Sequence, residues 1–356
     1  PNSRFFGIAG PRMAEAGCDA WFSVDELAVM GLAEIVRHLP RLLRLRRELL
    51  QRFALVRPDA YIGIDAPEFN LRVAAALKRR DIPTVQYVSP QVWAWRQGRV
   101  RTIGQSVDLV LCVLPFEPAF YAAHAVRAVF VGHPLADRIP FATDAVAARA
   151  ALGLPVAGEV VAVLPGSRVG EITKLGPPFA ATLAWLQARR PSLSFVAPMA
   201  NGGARELFER ELREHAPQVE IRLLNGRAHE AIAASDAVLV ASGTATLETA
   251  LLKRPMVVAY RVAPLTGWLL REMKLVKTEF FSHPNLLAGR RLVPEFFQEQ
   301  VRPEVLGPAL LEQLDRPDRA ALIDEYSRIH QMLRCDASQR AADAVLELAA
   351  GRQTAR

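Results

Sequence analysis

Four short stretches set acids, hydroxyls, small residues and guanidinium groups where ligand chemistry needs them. In Ile62-Gly63-Ile64-Asp65-Ala66-Pro67-Glu68-Phe69-Asn70 a carboxylate follows an apolar run. An acid partly desolvated by such neighbours can take a proton from an attacking hydroxyl, whose own pKa is far too high for ionisation at neutral pH. Asp65 is therefore the candidate base; its alternative is an N-cap for a helix opening near Pro67. In Val161-Ala162-Val163-Leu164-Pro165-Gly166-Ser167-Arg168, followed by Val169-Gly170-Glu171, a strand runs into a turn containing glycine. Amides there and the Ser167 hydroxyl can face an anion while Arg168 forks two phosphate oxygens, which suits a diphosphate. An ordinary strand-to-helix turn with a solvated Arg is the alternative.

The third stretch is Val238-Leu239-Val240-Ala241-Ser242-Gly243-Thr244-Ala245-Thr246-Leu247-Glu248. Small hydroxylated residues open a helix whose free amides and positive dipole end favour phosphate, and Glu248, one turn in, can accept hydrogen bonds from ribose hydroxyls. Ser242 or Thr244 as a plain N-cap is the competing reading. The fourth is Tyr87-Val88-Ser89-Pro90-Gln91-Val92-Trp93-Ala94-Trp95-Arg96-Gln97-Gly98-Arg99. Trp93 and Trp95, with Arg96, Arg99 and Arg101 after them, can stack on nucleic-acid bases or grip a sugar phosphate, or the indoles can pack under a long loop. His133, in Gly132-His133-Pro134, either lines a site or is a satisfied structural histidine. The chain lacks Asp-x-Asp, His-Glu-x-x-His, a P-loop, Gly-x-Gly-x-x-Gly after a strand and Gly-x-Ser-x-Gly, which weighs against metal-bridged sugar transfer, zinc hydrolysis, P-loop ATPase and serine hydrolase chemistry.

These loops need strands to carry them. Apolar, β-branched runs at 5–8, 60–64, 84–88, 109–113 and 128–131, and again at 160–164, 195–198, 220–224, 238–241 and 256–259, alternate with helical stretches. That is the pattern of two open parallel α/β sheets in tandem, which bind ligands at the carboxyl ends of their strands. A Gly/Pro-rich stretch at 152–158 reads as the linker, dividing the chain into domains 1–153 and 154–303 with a helical tail at 304–356. The expected tail helices cover 304–314, 319–333 and 339–350.

Composition sets the outer bounds. With 356 residues, 51% hydrophobic and 23% charged, the chain is neither disordered nor a multi-span membrane protein. A net charge of +7 favours partners bearing phosphate. Cys18, Cys112 and Cys335 stand far apart, so no disulfide framework or cysteine metal site is indicated and a reducing, cytosolic compartment is expected. Ser23 and Glu26 read as a capping box ahead of a Leu-rich stretch containing Met30, Pro40, Arg37, Arg41, Arg44, Arg46, Arg47 and Arg52 against Glu48. It fits a helix at an anionic bilayer surface or on a lipid tail, and equally a core helix with snorkelling Arg side chains.

Taken together, the motifs around Asp65, Trp93, Arg168 and Glu248, with Pro284-Asn285-Leu286-Leu287-Ala288-Gly289-Arg290, resemble the lipid-A-disaccharide synthase family in order and across essentially the whole chain. The resemblance implies a GT-B fold, two Rossmann-like domains facing a cleft, and inverting transfer of 2,3-diacylglucosamine from UDP to 2,3-diacylglucosamine 1-phosphate. Product is a β(1→6) disaccharide, and no metal or other cofactor is implied. By resemblance Asp65 is the base and Arg168 balances charge on the leaving diphosphate. Ser167, Glu171, Ser242, Gly243, Thr244, Thr246, Glu248, Asn285 and Arg290 hold the UDP-sugar. Trp93, Trp95, Arg96, Met30, Arg41 and Arg44 lie on the acceptor and lipid side.

The resemblance further implies contact with the inner membrane and a dimer exchanging C-terminal helices. It also implies a first strand and a Gly-Glu-Ala-Ser-Gly-Asp loop ahead of Pro1, in keeping with a chain that opens almost directly on a strand. Rival readings are a same-fold glycosyltransferase or UDP-sugar epimerase with another substrate, and a noncatalytic nucleic-acid module using the Trp/Arg loop.

Overall fold

The structure is a computed structural model and describes residues 3–27, 32–94, 97–262 and 279–353. In the first half, β1 (Phe6–Ala9) pairs in parallel with β2 (Asp19–Ser23) around α1 (Pro11–Glu15). After α2 (Leu32–Val56), a four-stranded parallel sheet follows the order β3 (Tyr61–Ile64), β4 (Thr84–Tyr87), β5 (Leu109–Cys112), β6 (Ala128–Phe130). Helices α3 (Pro67–Lys78), α4 (Val100–Ser106) and α5 (Glu117–Ala122) make the crossovers. Next come α6 (Pro134–Arg138) and α7 (Ala145–Leu152), the latter ended by Gly153 at φ 62.

The second half holds β7 (Val160–Leu164), α8 (Val169–Arg189), β8 (Ser194–Met199), α9 (Gly202–His215), β9 (Ile221–Asn225), α10 (Ala228–Ala234), β10 (Ala237–Ala241), α11 (Thr244–Leu251) and β11 (Met256–Tyr260). Past residue 279 come α12 (His283–Ala288), β12 (Glu295–Phe297), α13 (Pro303–Leu314), α14 (Arg319–Leu333) and α15 (Ala337–Gln353). All six strands run parallel, in the order β12-β11-β10-β7-β8-β9.

Helices on both faces explain why the central strands read as unbroken apolar runs rather than alternating ones. Every residue of β7 and β10 is buried. Val160, Ala162 and Leu164 enter one core layer, with Leu322, Tyr326, Ile329 and Leu333 of α14. Val161 and Val163 enter the other, with Phe179 and Leu183 of α8 and Leu306 and Leu310 of α13. The tail then crosses to the first sheet, where Ala341 and Leu348 of α15 pack on Val85, Leu109, Leu111 and Val131. Strand order reverses between β7 and β10, so the crevice beyond their carboxyl ends is the switch point where such sheets take ligands.

Two departures have local causes. Ser23 caps no long helix: its hydroxyl accepts from the Asp25 amide at 3.2 Å and closes a single 3-10 turn at Val24–Glu26. The Leu-rich helix α2 is described from Leu32 and carries Pro40 inside it. Its Leu45, Leu49 and Phe53, spaced on one stripe, are buried, so this face is core. Leu39 and Leu43 stay exposed on the other side. Short β2 and β12 had too little apolar patterning to be legible in sequence; β2 is exposed at three of its five residues.

Candidate active site

The Asp65 turn follows β3 directly. Asp65 (φ 51) and Ala66 (φ 38) are both left-handed, and α3 begins at Pro67 with no side-chain cap. The N-cap alternative for Asp65 is thereby set aside. Asp65 is exposed, which corrects the expectation of a partly desolvated acid. Apolar neighbours precede it along β3, but the reversal lifts its side chain clear of them.

The turn after β7 holds a surprise in its own residues. Glu171 reaches back so that its carboxylate accepts the Ser167 amide at 2.9 Å and the Arg168 amide at 3.3 Å, and it pairs with the Arg168 guanidinium at 3.3 Å. Gly166, at φ 120, leaves room for this, since a Cβ there would lie 2.6 Å from Glu171 atoms. The amides expected to cradle a diphosphate are thus filled by an internal carboxylate. Arg168 itself remains 71% exposed and Ser167 is exposed. Beside them the Tyr260 hydroxyl is held above its ordinary pKa, first by burial and then by Glu171.

At the switch point α11 opens on Gly243, whose φ of 155 and open surroundings leave the helix start uncapped by any side chain. The first-turn amides at Thr244 and Ala245 have no carbonyl of the helix to bond, so they remain donors for an anion. Ser242 donates its hydroxyl to the Phe281 carbonyl at 3.0 Å, so it is no cap. Thr246 is buried, donating to the Gly243 carbonyl at 2.8 Å and meeting His283 Nδ1 at 3.1 Å, so it shapes the loop rather than contacting a ligand. Glu248 is paired with His229 at 3.5 Å, which raises the pKa of that histidine.

The two halves meet here. Trp93, Val113 and Leu114, from beyond β4 and β5, share an apolar cluster with Leu286 and Leu287 of α12. His133, at the end of β6, lies in the field of His283 and Glu248, its Nδ1 accepting the Leu135 amide at 3.1 Å. Carboxyl ends of both sheets therefore converge, with His133, His229 and His283 around the head of α11.

A family model described as Lipid-A-disaccharide synthetase matches residues 1–348. The chain belongs to the lipid-A-disaccharide synthetase family. It is 50% identical over 350 residues to the lipid-A-disaccharide synthase of Salmonella typhimurium, covering 98% of this chain and 91% of that protein, and matches the Salmonella typhi enzyme equally. Among solved structures it is similar to UDP-GlcNAc 2-epimerase from Neisseria meningitidis bound to UDP-GlcNAc (TM-score 0.61, 11% identity, 94% of this chain and 87% of that one). A UDP co-structure of S. aureus MnaA gives a TM-score of 0.63 at 13% identity, over 97% and 96% of the two chains. At such identities these likenesses speak for the fold alone, the twin-sheet α/β architecture of GT-B enzymes and epimerases.

Several residues expected to bind in this synthetase-family chain are committed to the fold. Asn285 is fully buried; its amide donates to Val293 and Glu295 oxygens and its oxygen accepts the Leu292 and Val293 amides, leaving nothing for a ligand. Arg290 is not so committed: it stays 63% exposed, its guanidinium 3.7 Å from Glu325 of α14. Trp93 is buried, donating to Glu117 at 3.0 Å and edge-on to Phe116, so it cannot stack on an acceptor or a base. Trp95, Arg96 and Met30 lie outside the described residues. Arg41 pairs with Glu26 at 3.7 Å, and Arg44 is exposed. His283 and His229 were missed; His283 directly precedes the quoted Pro284 motif, whereas nothing around His229 singles it out.

Buried Glu117 and half-buried His133, behind this junction, give opposite pH dependences. Burial pushes the Glu117 carboxyl up to about 7 from 4.5, so between those values the folded protein keeps a proton the unfolded chain releases. Its contribution is full below pH 4.5 and is lost as pH rises to 7. Burial, then His283, lowers His133 from 6.5 to about 4; its contribution is full above 6.5 and is lost as pH falls to 4. The two oppose each other in the native chain between pH 4.5 and 6.5. Glu117→Gln should leave the His133 slope exposed, with Tm climbing more steeply between pH 4.5 and 6.5 than in the parent; parallel melting curves would contradict the assignment.

Proposed function

We propose that the protein transfers 2,3-diacylglucosamine from its UDP-activated form to 2,3-diacylglucosamine 1-phosphate, with inversion, releasing UDP and a β(1→6) disaccharide 1-phosphate. Membership of the synthetase family carries this reading. Asp65 removes the proton from the acceptor 6-hydroxyl as its oxygen attacks the anomeric carbon, in a single displacement. Arg168 and the first-turn amides of α11 stabilise the charge that grows on the departing diphosphate, which dispenses with a bridging metal. Glu248, oriented beside His229, holds the ribose. Incubating labelled UDP-diacylglucosamine with the monosaccharide phosphate should yield labelled disaccharide and UDP in equal amounts. No labelled disaccharide would overturn the reading, and labelled UDP-sugar of altered configuration would install the epimerase in its place.

Both substrates carry acyl chains, and the cytoplasmic face of the inner membrane is the site proposed for the reaction. No helix among the described residues is long and apolar enough to cross a membrane. Contact would run through the outer face of α2, where Leu39 and Leu43 are exposed. A groove of about 320 Å³ continues that face, lined by Leu43, Arg46, Arg47, Leu50, Gln51 and Arg80. Apolar side chains rimmed by guanidinium groups suit an anionic bilayer surface. Arg46→Glu with Arg47→Glu should cut sedimentation with phosphatidylglycerol vesicles at least tenfold; unchanged retention would remove the contact from this face.

A further inference from the structure

A base must point its carboxylate at one hydroxyl, yet among the described residues no side chain or amide donates to the carboxylate of Asp65. What the structure holds is the main chain that carries it. Asp65 and Ala66 occupy the left-handed region at φ 51 and 38, and Val88, at the end of the neighbouring strand, does so at φ 69. Non-glycine residues adopt this conformation at a cost, a β-branched one most of all, and such conformations persist only where surrounding structure over-determines them.

Two buried amides supply that over-determination. Asn70, 8% exposed, accepts the Tyr61 hydroxyl at its Oδ1 at 2.9 Å, which fixes which way its amide faces. Its Nδ2 then donates to the carbonyls of Ile64 at 3.1 Å and Asp65 at 2.8 Å. Gln86, 1% exposed, donates from Nε2 to the same Asp65 carbonyl at 3.0 Å, and lies 3.3 Å from the carbonyls of Tyr87 and Val88. The Asp65 carbonyl is therefore held by two side chains from two elements, α3 and β4. Gly63 lets them in, because a Cβ there would fall 2.8 Å from Asn70 Cβ and 3.2 Å from Gln86 Oε1. Gln86 Oε1 is buried without a partner. An orphaned acceptor is unfavourable, so the site keeps this residue for what its NH2 group holds.

We propose that Asn70 and Gln86 are positioning residues, clamping the Asp65 carbonyl so that the turn aims its carboxylate at the acceptor hydroxyl. The inference rests on Asp65 as the base. A residue acting only through Asp65 has nothing left to act on once that carboxylate is gone, which separates positioning from a general structural role.

The test is a cycle of Gln86→Met and Asp65→Asn, singly and together, read by single-turnover rates, acceptor KM and UDP affinity. Methionine has a similar volume and adds no buried polar atom, so it avoids the folding loss that Asn70→Ala risks. Gln86→Met should lower the transfer rate at least tenfold with UDP affinity and KM within twofold of the parent, and should lower the Asp65→Asn rate no further. A parent-like rate for Gln86→Met, or losses that multiply in the double variant, would overturn the positioning role while leaving the base intact. A parent-like rate for Asp65→Asn alone would instead remove the base, and the clamp with it.

Discussion

Asp65→Asn is expected to lower turnover by about 100-fold to 10,000-fold while UDP binding stays within twofold of the parent. Asparagine keeps the volume and polarity of the side chain and removes only its ability to take a proton. It also tolerates the left-handed conformation at φ 51 at least as well as aspartate does, so the turn and the packing of α3 should survive. The exposed position of Asp65 sharpens the test, because no buried partner is orphaned by the change. Initial rates, calorimetric titration with UDP and a melting curve on the same preparation separate the possibilities. Near-normal turnover would end the role of Asp65 as base.

Arg168→Ala should cost about 100-fold to 1,000-fold in kcat/KM and, unlike the first variant, should weaken UDP binding by about tenfold, equivalent to ~1.4 kcal/mol. The reason lies in Glu171. Its carboxylate sits in the turn, 2.9 Å from the Ser167 amide, and Arg168 is its only paired cation in the described structure, at 3.3 Å. Truncating Arg168 deletes a positive charge that a diphosphate would meet and leaves a negative one in its place. Adding Glu171→Gln to Arg168→Ala should therefore restore part of the UDP affinity. If the single variant bound UDP like the parent, the turn after β7 would have no part in holding the leaving group.

Much of the frame was legible in sequence. Strands β7 to β11 fall within one residue of the apolar runs at each end; β7, β8, β10 and β11 are buried along nearly their whole length, and residues buried on both faces leave a signal needing no partner to interpret, whereas β9 is only partly buried. The turns after β7 and β10 stood out for the same reason, as small and charged residues ending such runs. Burial of single side chains was not legible. Sequence leaves Trp93 as either a stacking platform or an indole packed under a long loop, and Glu117, 24 positions away, decides for the second by accepting its indole N–H. The resemblance makes Asn285 a ligand contact, but four main-chain and side-chain groups of residues 292–295 take up its amide. Asn70 closed a motif already quoted and Gln86 stood one residue before another, but only the pairing of β3 with β4 brings them onto one carbonyl.

By itself the sequence determined the family, the tandem parallel sheets and the acid, guanidinium and helix-start residues at their strand ends. Hydrophobic patterning and local turn chemistry encode these within a few neighbouring positions. Tertiary structure decided which polar groups remain free. Glu171 fills its own turn, Asn285 and Trp93 are taken up by the interior, and Asp65 is held from beneath by two amides. A hydrogen bond depends on ångström-scale distances between residues far apart in the chain, and only the packing of the strands sets those distances.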